Sequence, residues 1–128
     1  MAEMSNYLEN ALINGTLRAT SYTAPTTVYV GLYTTDPTDA NTGTEVSGGS
    51  YARTSATFGA PSNGVTTNSA AVTFPTATGT WGTVGWIGIL DAATSGNLLY
   101  HTPLTSSKSI ISGDIFTIAI GNLSVTLE

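Results

Sequence analysis

From about residue 21 onward, apolar and polar residues alternate in short runs broken by Gly, Pro, Asn and Asp. A period of two marks half-buried strands, and the breakers mark the turns between them. Thr26–Tyr33 is rich in β-branched and aromatic residues, with Val28, Val30 and Leu32 on one face; Pro25 opens it and Asp36-Pro37 closes it. Further strands are predicted over Tyr51–Phe58, Val65–Phe74 and Leu98–His101, with turns at Pro61–Gly64 and Ser95-Gly96-Asn97. Thr80–Leu90 has a continuous apolar centre and reads as a buried strand. Near the C-terminus, Ile115, Thr117 and Ala119 oppose Phe116, Ile118 and Ile120. Gly121-Asn122 then turns the chain into Leu123–Leu127, where Leu123, Val125 and Leu127 alternate with Ser124 and Thr126.

Residues 1–20 follow a different period. Ser5 suits a helix N-cap, and Tyr7, Leu8, Ala11, Leu12 and Ile13 form a helical stripe. Asn14-Gly15 weakens or bends the end, although Thr16-Leu17-Arg18 is able to continue it. The expected architecture is all-β: a single β-sandwich or barrel-like domain over 21–128, preceded by an N-terminal helical segment over 1–20, one structural domain in total. Leu8, Leu12 and Leu17 on the helix are able to dock on this domain or on another subunit, since so short a helix needs a packing surface.

Composition narrows the function. Charged residues make up 9% of the chain, against roughly 25% in ordinary soluble domains. Threonine, serine and glycine fill the polar positions instead. The net charge is −5, and Arg18, Arg53 and Lys108 are the three cations. So few cations neutralise few phosphates, which disfavours nucleic acid and anionic membranes as partners. No apolar run is long enough to span a bilayer. Met1-Ala2-Glu3-Met4 lacks the basic start and apolar stretch of a signal peptide, so synthesis in a cytosol is expected. There is no cysteine.

The candidates for chemistry are sparse, and no catalytic, cofactor or metal-binding residue is assigned. His101 is the single imidazole and has no nucleophile-and-acid arrangement near it in sequence, so a structural or surface role is expected. Gly48-Gly49-Ser50-Tyr51-Ala52 resembles a nucleophile elbow without its last glycine, but a polar loop precedes it and a strand follows. Asp36, Asp39, Asn41 and Glu45 lack EF-hand spacing, and the loop over 36–50 reads as solvated, either functional or mobile. Gly79, Gly82, Gly85 and Gly88 recur every third residue and suggest close packing beside the two indoles. The strongest candidates for specific contacts are Trp81, Trp86 and Tyr100. Trp86 is assigned to the core by its apolar flanks, while Trp81 is divided between the core and an exposed strand end. The candidate interface is therefore Leu8, Leu12, Leu17, Trp81 and Tyr100.

Several blocks carry a family resemblance. They are Met4–Ile13, Thr27–Pro37, Gly48–Arg53, Trp81–Val84, Asp91–Tyr100 and Ser112–Phe116. In this order they resemble a family of small tailed-bacteriophage virion structural proteins, and the similarity covers nearly the whole chain. Some members resemble capsid cement (decoration) proteins, which sit on the capsid exterior, commonly as trimers; others are labelled tail-fibre-like. The resemblance implies no enzymatic activity and no cofactor. The leading expectation is a cement protein made in the bacterial host cytoplasm, self-associating as a homotrimer and contacting the major capsid protein from outside. The alternative is a tail or fibre component that binds host-surface glycans through Trp81 and neighbouring aromatics.

Overall fold

A computed structural model describes residues 2–127. The helix α1 spans Asn6–Leu17 and runs through Gly15. Ser5 caps it: its Oγ accepts from the Leu8 N–H at 3.2 Å and donates to the Leu98 carbonyl. The Ser5 and Asn6 N–H groups are taken by the carbonyls of Leu99 and Asp39, both at 2.9 Å. The cap therefore satisfies the helix start and ties it to the sheet. Leu8 is the one helical residue that is fully buried.

Among the described residues nine strands follow the sequence order β1 (Glu3–Met4), β2 (Val28–Tyr33), β3 (Thr54–Ala56), β4 (Val65–Thr67), β5 (Val72–Thr73), β6 (Gly82–Leu90), β7 (Leu98–Ile110), β8 (Thr117–Ile118) and β9 (Ser124–Thr126). The main sheet is antiparallel in the order β1-β7-β6-β2-β3. Two two-stranded ladders, β4-β9 and β5-β8, accompany it. The fold is thus all-β with a short N-terminal helix, as the alternation predicts, and its sheets are open rather than closed into a barrel.

Register explains the two faces of the main sheet. Val30 pairs with Ile89 and Leu32 with Ile87, so these four point one way. They join Val72, Phe74, Phe116, Ile118, Leu123 and Val125 from the ladders in one core cluster. Aromatic rings organise its centre: Phe74 meets Phe116 edge-on at 5.6 Å, and Tyr51 meets Trp81 edge-on at 5.3 Å. On the opposite face lie Tyr33, Leu90 and Leu98, all buried. Gly31 pairs with Gly88 there. A Cβ on Gly88 would come within 2.7 Å of Leu98 Cδ1 and 2.9 Å of Tyr33 Cε1. The backbone itself is the packing surface at that point.

Several elements depart from the sequence reading. The strand expected over Leu98–His101 continues to Ile110. Its outer half has no hydrophobic alternation and is held by backbone pairing to β6, so periodicity could not reveal it. Trp86 pairs with Pro103 but Val84 pairs with Lys108, so the intervening residues of β7 bulge away from β6. A proline without an N–H is tolerated beside such a break in the ladder. The strand expected over Val65–Phe74 divides into β4 and β5. Between them Asn68 is buried and donates to Ala70 O at 2.9 Å and Ala119 O at 3.0 Å, while its Oδ1 accepts from Leu123 N–H at 2.9 Å. That bracket replaces ladder bonds. Ile115–Ile120 contributes only the short β8, and Ile120 is exposed where alternation placed it with Phe116 and Ile118. Of the three-residue glycine recurrence, Gly88 alone packs tightly on side chains, and these belong to Tyr33 and Leu98 rather than to an indole.

Candidate interaction surface

The loop after β2 is pinned at many points. Thr34 N–H donates to Thr44 O and Val46 N–H to Leu32 O, each at 2.9 Å, so residues 44–46 line the edge of β2. Asp36 Oδ1 caps the turn by accepting from Thr38 N–H at 2.9 Å, and Pro37 is buried. The four oxygen-bearing side chains considered as a calcium set divide among three partners. Asn41 accepts from the Tyr33 hydroxyl at 3.1 Å, Glu45 engages Arg53, and Asp39 and Asp36 face His101.

Glu45 and Arg53 form a partly buried ion pair with two parallel hydrogen bonds of 2.8 Å. The Tyr51 hydroxyl donates to Glu45 Oε2 at 2.6 Å and accepts from Leu32 N–H at 2.9 Å. The hydrogen bond to the Glu45 carboxylate holds the Arg53 guanidinium charged, above its ordinary value, while burial works against it. Burial first, then the hydrogen bond to Glu45, pushes the Tyr51 hydroxyl well above the usual tyrosine range. Tyr33 is pushed up to about 12, chiefly by burial, with the Glu45 charge adding to it.

The elbow-like Gly48-Gly49-Ser50 is a tight left-handed turn with positive φ at all three residues. Its hydroxyl shares a 2.7 Å hydrogen bond with Thr78. Gly49 O accepts from the Trp81 indole N–H at 2.9 Å. His101 is buried and its Nε2 lies 2.8 Å from Asp39 Oδ1. Ser50 and His101 thus have separate partners, and neither contact makes a nucleophile–base pair.

The candidate contact residues divide by burial. Leu8 is 3% exposed and Trp81 4%, so both are internal packing residues; this corrects the reading of either as an outward contact. Trp81 folds onto the edge of Tyr51 and spends its N–H on Gly49, which removes it as a platform for a sugar ring. Trp86, assigned to the core from its flanks, is only half-buried and pairs with Tyr33 on one side and Pro103 on the other. Tyr100 packs half-buried against the core, and burial raises its hydroxyl above the ordinary value. Leu12 is half-buried, and Leu17 is 79% exposed.

The structure adds an apolar surface that sequence reading missed. Ile111, Ile115 and Ile120 are all more than half exposed. Two grooves of about 530 and 600 Å³ flank the outer half of β7, and both are lined by Leu104 and Phe116. Ile115 borders the larger one. An isoleucine on the threonine face of an alternating segment was the available signal. Among the described residues no helix is long and apolar enough to cross a membrane.

An all-β chain whose buried polar groups serve the fold, and whose exposed features are isoleucines and hydroxyls, has the makeup of a contact-forming structural protein. The chain belongs to the family described as podophage GP4 fiber I protein gp80, whose model matches residues 3–126. It is accordingly a phage virion structural protein. A search of curated proteins returned no match. The family description names a fibre; it lends no support to capsid cement and favours the tail-fibre alternative.

Proposed function

We propose that this chain is a fibre component of a podophage virion that works by non-covalent contact with other copies of itself and with neighbouring tail proteins. The observation that carries the reading is the match to a fibre family over residues 3–126. The surface chemistry supports it: Ile111, Ile115 and Ile120 are exposed, Ile115 beside a groove, and burying such residues between copies is favourable without desolvating charge. A lattice of repeated modest contacts gains strength from multiplicity. The threefold association implied by the family resemblance remains part of the proposal, and no catalytic step does.

Immunogold labelling of virions, together with mass spectrometry of separated heads and tails, tests the location. Label and peptides on the tail support the reading. Label confined to the head would overturn it and favour contact with the major capsid protein. Light scattering of the purified chain tests self-association, with a threefold mass expected and an Ile115→Lys, Ile120→Lys variant expected to be monomeric.

A further inference from the structure

The geometry points to a divalent transition-metal site, suited to zinc, formed by Glu3, Asp39 and His101. The three come from distant parts of the chain. Glu3 on β1 pairs directly with His101 on β7, which places both side chains on the same face. Asp39 is delivered by the loop after β2, whose backbone is fixed there by the Asn6 N–H bonding to Asp39 O at 2.9 Å. One donor atom from each lies within 4.8 Å of the other two. Zinc held about 2.0–2.2 Å from each donor sets tetrahedral donors roughly 3.5 Å apart. The 2.8 Å between His101 Nε2 and Asp39 Oδ1 is shorter than this value, so a bound ion would spread that pair apart.

The donor chemistry selects the metal. A set containing imidazole favours zinc and its transition-metal neighbours over calcium or magnesium, which take oxygen ligands. The imidazole is also oriented for the task. His101 is 6% exposed, so its ring is held by packing. Asp36 Oδ1 stands 4.0 Å from Nδ1, on the side where outer carboxylates stand in histidine–metal sites. Nε2 and Asp39 Oδ1, 2.8 Å apart, share a proton in the metal-free site, and a zinc ion would take that proton's place between them. Among the described residues no lysine or arginine forms an ion pair with Glu3, Asp36 or Asp39. A bound ion would fasten β1 and the loop after β2 to β7, a cross-link in a chain that has no cysteine.

The test uses the untagged full chain, stripped with a chelator and titrated with zinc chloride in a calorimeter. One zinc per chain is expected, with a rise in melting temperature. Because the protein has one histidine, its ring resonances in NMR are unambiguous, and zinc is expected to shift them in the unmutated chain. Glu3→Gln and Asp39→Asn change exposed side chains and are expected to keep the fold while weakening zinc by about tenfold or more. Any of three results would overturn the site: no zinc retained after dialysis, zinc binding that leaves the imidazole resonances unmoved, or affinity unchanged in both variants. Stabilisation by calcium equal to that by zinc would also count against it.

Discussion

Arg53 grips Glu45 with Nε and Nη2, both at 2.8 Å, and turns Nη1 to the carbonyls of Ala92 at 2.9 Å and Ser95 at 2.7 Å. One side chain thereby ties the strand-lining segment at 44–46 to the turn between β6 and β7. Arg53→Met leaves a half-buried carboxylate and two carbonyls without their donor, with an expected loss of about 3 kcal/mol of stability. Arg53→Lys is expected to recover only a minor part, because an ammonium cannot reproduce the two-pronged contact. Urea unfolding of the three proteins measures both effects; equal midpoints would refute the clamp.

Asn68 is the second polar support, buried at the break between β4 and β5. Asn68→Ala removes two donated bonds and one accepted bond, taking the acceptor from Leu123 N–H and a donor from Ala70 O and Ala119 O, at an expected cost of about 2–4 kcal/mol. Asn68→Asp keeps the shape and the acceptor but cannot donate when ionised, so it is expected to be destabilising as well. A neutral result for the aspartate variant in thermal melts would show that the donated bonds contribute little.

The buried tyrosines set an alkaline limit. In the folded state Tyr33 titrates at about 12 and Tyr51 higher still, against 10.0 for the free side chain. Above pH 10 the unfolded chain therefore releases protons that the folded chain retains, and stability falls as pH rises. It is fully present below pH 10 and is lost between pH 10 and 12 for Tyr33, and further up for Tyr51. The limiting slope is about 1.4 kcal/mol per pH unit for each tyrosine. Tyr51→Phe is expected to make the slope shallower while lowering stability at neutral pH by about 1–3 kcal/mol, since Leu32 N–H loses its acceptor. Denaturant midpoints between pH 9 and 11 decide it, and a flat profile would contradict the burial of these hydroxyls.

Gly88 offers a steric test. Gly88→Ala places a methyl 2.7 Å from Leu98 Cδ1 and 2.9 Å from Tyr33 Cε1, with an expected cost of about 1–3 kcal/mol from overpacking. Gly85→Ala meets nothing within 4 Å and serves as the control in the same melting experiment. Equal losses in the two variants would mean that backbone effects, not crowding, dominate.

What the sequence revealed follows from which forces leave a periodic trace. Val28–Tyr33 and Gly82–Leu90 were legible because their side chains meet the core in register. The Asn63-Gly64 turn was legible because both residues adopt positive φ, the geometry of a two-residue hairpin connection. The outer half of β7 was not legible, since its Thr, Ser and Lys residues pair through backbone alone. Nor was Asn68, whose effect depends on carbonyls and amides far away in sequence. The loop at 36–50 read as solvated, yet Glu45, Asp39 and Asn41 each fasten to a residue outside it, which spacing cannot announce. Trp86 is less buried than its apolar flanks suggest, and the flanks of Trp81 leave its place open, because local flanking residues carry no information about which side of a bulge an indole will occupy.

The main sheet finishes in strands of two and three residues, Glu3–Met4 at one border and Thr54–Ala56 at the other. Such stubs offer a neighbouring chain almost no ladder to extend, the same truncation that keeps natural sheets from polymerising end to end. At these two stubs a filament made from this protein would therefore grow by shape-matched side chains and not by continuous hydrogen-bonded sheet. Its spacing and twist would then be set by surface residues that can mutate without endangering the fold beneath.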